Sequence, residues 1–288
     1  MKRRAALGAL AALALPLTSS PPRLRAQSPP FVATRLDGLT DAPYPPVDGA
    51  PQLLVQSPAT LGATADVVLH LHGYEGCLEV LAGRGPTRCR PRGPLREGWD
   101  LLAAHASSGT ATWLVLPQLA FDLRDGSPGR LARSGSARRL LDEALARVAG
   151  ERGTPAPRLG SVILTAHSAG FEAAIAVIRH GGLDAQLEAV VLFDAMYSGV
   201  GTFAAWALAS PRRSLVAFHT VSGTPARRAR ELEAHYGRRL GDRLVSRDAD
   251  LDDVAPGRVV LAPARCAHRD VPGRYLGPTV ARLAQGSR

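Results

Sequence analysis

Lysine is almost absent from this sequence: Lys2 is the only one, so nearly all of the positive charge is carried by arginine. The formal net charge of the 288 residues is +10 at pH 7. No basic helix, aromatic stacking platform or known nucleic-acid motif accompanies this charge, although such features mark proteins that bind nucleic acid. The arginine bias, together with the many alanines, indicates a high-GC genome, and we expect no nucleic-acid partner.

Cysteine is also scarce, and three residues exclude a small scaffold held together mainly by disulfides. Cys77 and Cys89 lie twelve positions apart in a loop rich in glycine, proline and arginine, where we predict a disulfide. Closing a loop of that size contributes about 3 kcal/mol in the chain-entropy model. Cys266 is left over, and we interpret it as a small buried residue at a strand end and not as a nucleophile.

No hydrophobic run is long enough to cross a bilayer. The apolar stretch 5–17 follows the basic Lys2-Arg3-Arg4 and precedes a polar segment that contains proline. This pattern predicts a signal peptide over residues 1–26 and a single domain over residues 27–288. We therefore expect export to the periplasm or the medium, by the Sec route or, given Arg3-Arg4, by the twin-arginine route. After cleavage we expect no stable membrane insertion.

Motifs for metal binding are missing as well. His70 and His72 share one face of a predicted strand, but no nearby carboxylate completes a site with them. The sequence also contains no H-E-x-x-H pattern. We therefore expect no metal.

Short apolar runs alternate with helical patterns, which is typical of a parallel sheet covered by helices on both faces. The fold class is therefore α/β, with a doubly wound, mostly parallel sheet. Only a short helix fits between residues 195 and 213, so we expect no large lid domain. The patterns predict strands at 31–36, 53–56, 66–72, 112–116, 161–166, 189–194, 214–220 and 258–262, and helices at 95–106, 137–150, 168–179, 226–239 and 274–284.

The segment Ala166-His167-Ser168-Ala169-Gly170 joins a predicted strand to a helical pattern. A nucleophilic serine on a tight strand-to-helix turn has small residues two positions before and after it, as Ser168 has here. The following helix N-terminus would place backbone N–H groups near negative charge that develops beside the serine. We predict that Ser168 is a nucleophile. The alternative is that it only caps the helix.

A serine nucleophile needs a base that is oriented by a third group. Asp194 ends a predicted strand and His268 follows the last one, so both should emerge at the edge of the sheet that carries Ser168. We predict Asp194 as the acid and His268 as the base. His219 remains an alternative base, and the alternative acids are Asp248, Asp250, Asp252 and Asp253.

An ester or amide carbonyl also needs two N–H donors that stabilise its oxyanion. The strand 66–72 runs into a His72-Gly73 turn, so we predict the backbone N–H groups of Tyr74 and Ala169 as this pair. His72 would then be structural and fix the turn.

The chain resembles the α/β-hydrolase superfamily from Asp66 to the C-terminus, and in particular exported bacterial serine hydrolases. The resemblance lies in His72-Gly73, the elbow around Ser168, and Asp194 and His268 in that order. It implies an eight-stranded, mostly parallel sheet, no cofactor, and ester hydrolysis through an acyl-enzyme intermediate. Two departures are the alanine in place of the first glycine of the elbow, and an acid one strand earlier than in most members.

Several residues at strand ends are predicted to border the substrate cleft: Glu75, Gln118, Met196, Tyr197 and His167. The arginines of the loop 74–96 would favour an anionic substrate if they faced the cleft, although solvated surface arginines are the simpler interpretation. These are Arg84, Arg88, Arg90 and Arg92.

The expected substrate is a small-molecule or polymer ester, whose acyl chain the sequence does not specify, and the oligomeric state stays open. Two other functions use the same residues or the same fold. The first is a serine peptidase or amidase that acts on envelope peptides. The second is a non-catalytic binding protein, because a fold does not by itself imply an activity.

Overall fold

The computed structural model describes residues 30–246 and 248–286, so the predicted signal peptide, residues 1–26, lies outside the described residues. Nine strands form one sheet in the order β1-β2-β4-β3-β5-β6-β7-β9-β8. The strands are β1 Phe31–Leu36, β2 Leu53–Pro58, β3 Thr64–Leu71, β4 Trp113–Pro117, β5 Arg158–His167, β6 Leu187–Phe193, β7 Ser214–His219, β8 Leu244–Val245 and β9 Val259–Pro263.

The sheet is parallel from β4 through to β8, and β1 and β2 extend it in antiparallel fashion at one edge. Neighbouring strands are in register near their carboxyl ends: Leu71 pairs with Ala166, and His167 pairs with Phe193. Because parallel strands all end at one edge, the turns that follow β3, β4, β5, β6, β7 and β9 meet there. Ligands of open α/β sheets bind at this edge.

Helices cover both faces of the sheet, which makes the fold doubly wound. One face packs against α3, α4, α5 and α6, and the other against α1, α2 and α7. The helices are α1 Leu78–Ala82, α2 Leu101–Ala106, α3 Ser136–Glu151, α4 Phe171–His180, α5 Val200–Leu208, α6 Thr224–Leu240 and α7 Val271–Leu283. Within the part of the chain that the structure describes, no helix is both long and apolar enough to cross a membrane.

Side-chain alternation along the strands explains the two cores. Val190 and Leu192 of β6 point into the core beneath α4 and α5, whereas Val191 and Phe193 point into the core beneath α7. Strands that are buried on both faces are continuous hydrophobic runs, and this is why the central strands were predictable from sequence.

The predicted fold class is confirmed: the sheet is mostly parallel and flanked by helices. It has nine strands and not eight, because the two-residue β8 at the far edge is too short to leave a sequence pattern. The five-residue α1 inside the loop 74–96 was missed for the same reason. The helix predicted from residue 95 begins only at Leu101, since Arg96 instead forms a β-bridge with Thr87.

Candidate active site

The turn between β5 and α4 holds Ser168 in a strained backbone conformation. Its φ is +52°, in the left-handed region that residues other than glycine rarely adopt. A Cβ on Gly170 would lie 2.9 Å from the carbonyl oxygen of His72, and a Cβ on Gly73 would lie 2.7 Å from the Cβ of Ser168. The elbow therefore presses against the turn that follows β3, and only glycine fits at both positions.

Two backbone N–H groups lie at this contact between the turns. A Cβ built on Gly73 would lie 3.3 Å from the backbone nitrogen of Ala169. Because Tyr74 is the next residue after Gly73, its backbone N–H also lies beside the elbow. Ala169 lies at the start of the helical turn Ser168–Gly170, where the first backbone N–H groups of a helix have no acceptor within it.

Asp194 and His268 form a hydrogen-bonded pair at the same edge of the sheet. The Nδ1–H of His268 donates to Oδ2 of Asp194 at 2.6 Å. Oδ1 of Asp194 accepts from the backbone N–H of Thr220 at 2.9 Å, and the Thr220 hydroxyl also donates to the carboxylate. The Asp194 side chain is 3% exposed and the His268 side chain is 40% exposed. A buried carboxylate thus holds an accessible imidazole.

Two opposing effects act on the pKa of Asp194. Burial raises it, because the charged form loses hydration. The hydrogen bonds from His268 and Thr220 lower it by more, so the pKa lies below its ordinary value. The carboxylate is therefore ionised at neutral pH and keeps a proton on Nδ1 of His268, which leaves Nε2 as an acceptor.

His167 contacts both the backbone and the ring of His268. Its Nε2–H donates to the carbonyl oxygen of His268 at 3.1 Å, and the two rings are 4.6 Å apart between centroids. The edge of Trp99 packs on the other side at 4.8 Å. Because His167 directly precedes Ser168, this contact brings His268 beside the elbow. Burial lowers the pKa of His167 to about 3, so its ring is neutral.

The position of His167 corrects one expectation. The sequence suggested a substrate contact, but the residue is 3% exposed and its ring is covered by Trp99 and His268. Tyr197, by contrast, is only partly buried and lies near Asp194 and Ser168. Burial and the charge of Asp194 raise the pKa of Tyr197, and the nearby Ser168 side chain opposes that shift.

His72 fixes the turn after β3. Its Nδ1–H donates to the carbonyl oxygen of Gly73 at 2.8 Å, and its Nε2 accepts from the backbone N–H of Leu119 at 2.9 Å. Burial lowers the pKa of His72 to about 4, so this ring is neutral too. Gln118 is buried beside it, donates to the same Nε2 and accepts from the backbone N–H of Leu78. Gln118 is therefore structural and not the expected substrate contact.

Arg96 and a disulfide hold the same turn from the other side. Cys77 and Cys89 are joined, with their Cα atoms 5.6 Å apart. Arg96 donates to the carbonyl oxygen of Glu75, the residue after Tyr74, and pairs with the carboxylate of Asp122 at 2.8 Å. Its guanidinium also lies 3.6 Å from Sγ of Cys89. These contacts join the turn after β3 to the loops that carry Arg96 and Asp122.

Glu75 was expected to contact substrate, but arginines surround its carboxylate. Arg124 pairs with it at 2.6 Å and Arg96 at 3.5 Å. The hydrogen bond from Arg124 is the main cause that lowers the pKa of Glu75. Glu75 has a φ of +56° and its backbone N–H donates to the carbonyl oxygen of Leu123 at 2.7 Å. Its contacts are those of a residue that shapes the turn.

The remaining expected substrate contacts face elsewhere. Met196, two residues after Asp194, is 1% exposed and packs in the core beneath α4 and α5. Two of the four loop arginines are paired: Arg84 with Asp100 at 3.4 Å and Arg90 with Asp122 at 3.2 Å. Arg88 donates to a backbone carbonyl. This pairing gives no support to an anionic substrate.

Three of the four alternative acids have other partners. Asp250 and Asp253 cap a short 3₁₀ helix together, and Asp252 pairs with Arg282. His219, the alternative base, donates from Nδ1 to the carbonyl oxygen of Thr220 at 3.0 Å. Asp194 is the carboxylate that contacts His268. Within the described ranges, no group of three or more His, Cys, Asp or Glu side chains is arranged to hold a metal ion.

Thr220, Trp99 and Arg96 are parts of the site that sequence reasoning missed. Thr220 had a usable signal, since it follows the end of β7 next to the strand that carries Asp194. Trp99 and Arg96 lie on a long loop, and no local pattern shows what they contact.

Comparisons with known proteins add little to this geometry. No family model matches the chain, and no curated protein matches it. Among solved structures, the chain is similar to the crystal structure of TT1662 from Thermus thermophilus. The two share 16% identity over 87% of this chain and 94% of that one, with a TM-score of 0.44. The function therefore has to be inferred from the site itself.

Proposed function

We propose that the protein is a serine hydrolase that cleaves carboxylic esters, with Ser168 as nucleophile, His268 as base and Asp194 as the acid that orients it. The observation that carries the proposal is the 2.6 Å hydrogen bond between His268 Nδ1 and Asp194 Oδ2. It lies at the sheet edge where Ser168 occupies a strained strand-to-helix turn. An oriented imidazole beside such a serine is the arrangement that acyl transfer needs.

In the first step, Nε2 of His268 takes the proton of Ser168 while Oγ bonds to the ester carbonyl carbon. The carbonyl oxygen becomes an oxyanion, which accepts hydrogen bonds from the backbone N–H groups of Tyr74 and Ala169. The C–O bond to the alcohol then breaks, and His268 returns the proton to the leaving oxygen. Water, deprotonated by His268, attacks the acyl-enzyme and releases the carboxylic acid and Ser168.

Asp194 has two roles in this scheme. It holds the Nδ1–H tautomer of His268, and its buried negative charge stabilises the imidazolium that forms in each step. The hydrogen bonds from Thr220 keep the carboxylate ionised and oriented.

Covalent labelling tests the nucleophile. A fluorophosphonate probe should label the wild-type protein and fail to label Ser168→Ala, and turnover of p-nitrophenyl esters should fall by about 10⁴-fold or more. Ser198→Ala is the matched control, because Ser198 is an exposed serine on the loop after Asp194. It should keep both labelling and turnover. Labelling that persists in folded Ser168→Ala would refute the assignment.

A substrate panel tests the reaction class. The proposal expects p-nitrophenyl acyl esters to be cleaved with a higher kcat/KM than aminoacyl amides of matched acyl groups. Faster cleavage of the amides would identify a peptidase or amidase that uses the same residues. A folded protein that neither reacts with the probe nor cleaves either series would be a binding protein.

A further inference from the structure

A cavity of about 340 Å³ opens beside the turn that follows β3. Large apolar side chains form much of its wall, among them Tyr74, Leu95 and Trp99. Arg96 and Arg269 lie at its border. A larger cavity of about 770 Å³ lies between α4, α5 and α6, and Ser168, Asp194 and His268 line neither cavity. Tyr74, Trp99 and Arg269 in the wall of the smaller cavity are, however, neighbours of the candidate active site.

Three of its walls connect directly to that site. Tyr74 carries one of the two backbone N–H groups that are proposed to stabilise the oxyanion. The edge of Trp99 packs on His167 at 4.8 Å, and His167 precedes Ser168 in the chain. Arg269 follows His268. A substrate whose carbonyl is held at the elbow would thus have room for one of its groups in this cavity.

The two arginines at the cavity are paired. The guanidinium of Arg96 is shared between Asp122 at 2.8 Å and Glu75 at 3.5 Å, and Arg269 lies 3.5 Å from the carboxylate of Asp270. Tyr74 and Leu95 are 51% and 57% exposed, so two large apolar side chains of the wall are in contact with water. Covering them with an apolar group would be favourable, whereas no unpaired arginine of this wall attracts an anion.

We propose that this cavity binds the uncharged, apolar group of the ester substrate, with Leu95 at its mouth as a residue that sets the preferred chain length. The inference rests on the proposed ester hydrolysis. The group in the cavity is either the acyl chain or the alcohol, since both share the same chemistry.

Two series of substrates test the inference. In one, the acyl chain of p-nitrophenyl esters grows from acetate to octanoate, and in the other the alcohol of alkyl acetates grows. In the series whose group occupies the cavity, kcat/KM should rise about fourfold for each added methylene until the cavity is full. An ester of succinic acid with a free carboxylate should be a poorer substrate than the neutral ester of the same length.

Substitutions at Leu95 then connect the selectivity to the cavity. Leu95→Ser should flatten the dependence on chain length, and Leu95→Trp, which narrows the mouth, should shift the optimum to shorter chains. Each profile is normalised to the kcat/KM of the acetate, which is the shortest ester of the series. Val32→Ser is the matched control, since Val32 is 43% exposed on the edge strand β1 and does not line the cavity. It should keep the wild-type profile.

Two results would overturn the inference. The first is an unchanged chain-length profile in both Leu95 variants, and the second is a preference for the anionic ester. If either occurs while Ser168-dependent cleavage of acetate persists, the cavity proposal fails and the proposed function stands. If Ser168 is not labelled and no ester is cleaved, the proposed function fails and the inference fails with it.

Discussion

Arg96→Ala is the perturbation that most directly tests how the turn after β3 is held. Arg96 donates to the carbonyl oxygen of Glu75 and pairs with Asp122, yet it lies outside the predicted catalytic set. The proposal needs the N–H of Tyr74 in a fixed place, and Tyr74 directly precedes Glu75. Although Arg96 borders the proposed substrate cavity, its charge is already paired, so removing the guanidinium should act on catalysis mainly through backbone position.

The structure sets the expected magnitude. Glu75 and Asp122 have φ values of +56° and +54°, and each such conformation costs of order 1–3 kcal/mol unless its surroundings enforce it. Arg96 binds both residues, so without it the turn relaxes and the N–H of Tyr74 moves. Losing one oxyanion donor lowers kcat by about 10²–10³-fold. We expect a displaced donor to cost about 10²-fold in kcat, with KM changed by less than about threefold.

The assay is steady-state hydrolysis of p-nitrophenyl butyrate, with circular dichroism to verify folding. In the variant, Asp122 still pairs with Arg90 at 3.2 Å, so the protein should fold. Affinity for an alkyl boronic acid, which forms a tetrahedral adduct with serine, should fall in parallel with kcat. Arg96→Lys should recover part of the loss, because it keeps the charge.

Arg124→Ala is the control for this prediction. Arg124 pairs with the carboxylate of Glu75 at 2.6 Å but not with its carbonyl oxygen, and it is 81% exposed. Exposed ion pairs contribute little, so kcat should change by less than about twofold. The reasoning is refuted if Arg96→Ala keeps kcat within about threefold of wild type, or if Arg124→Ala loses as much.

Three more predictions follow from the site and the core. Asp194→Asn should lower kcat about 10⁴-fold in ester hydrolysis with the fold retained, and a mild loss would mean that another group orients His268. Reducing the Cys77–Cys89 disulfide should lower the free energy of unfolding by about 3 kcal/mol in urea titrations, whereas Cys266→Ala should not reproduce this loss. In urea titrations, the free energy of unfolding should decrease as the pH is lowered from 7 to 4, by up to about 5 kcal/mol per pH unit near pH 5. A free energy of unfolding that stays constant over this range would contradict the prediction. The unfolded chain takes up protons below about pH 6.5, whereas burial lowers the pKa of four histidines in the folded state to about 3 or 4: His70, His72, His105 and His167.

The central strands and the long helices were predictable because their burial is simple. A strand such as β6 is apolar at nearly every position since both faces are covered, and α3 repeats its apolar residues at the helical period. The elements that were missed are short. Neither the two residues of β8 nor the five of α1 span enough sequence to show a period, and their pairing depends on neighbours that are distant in the chain.

The order of the candidate site residues along the chain was predictable from the sequence, but the contacts of their side chains were not. Asp194 and His268 could be placed together because the ends of parallel strands share one edge. The direction of a side chain after a strand end was not predictable: Met196 turns into the core, whereas Tyr197, the next residue, stays partly exposed. The role of Arg96 depends on a loop that folds back over the turn after β3, and no local pattern encodes that path.

Backbone strain marks the same edge of the sheet independently of any motif. Glu75, Ser168 and Asp194 lie in the turns after β3, β5 and β6, and all three have left-handed φ values. Each is held by contacts beyond its own turn: Glu75 by Arg96, Ser168 by close packing against Gly73, and Asp194 by Thr220 and His268. Such conformations persist only where the surroundings enforce them, and they cluster at functional sites. The two hydrophobic cores supply the stability that offsets this strain, so these positions are better explained by the chemistry proposed for the edge than by any gain in stability.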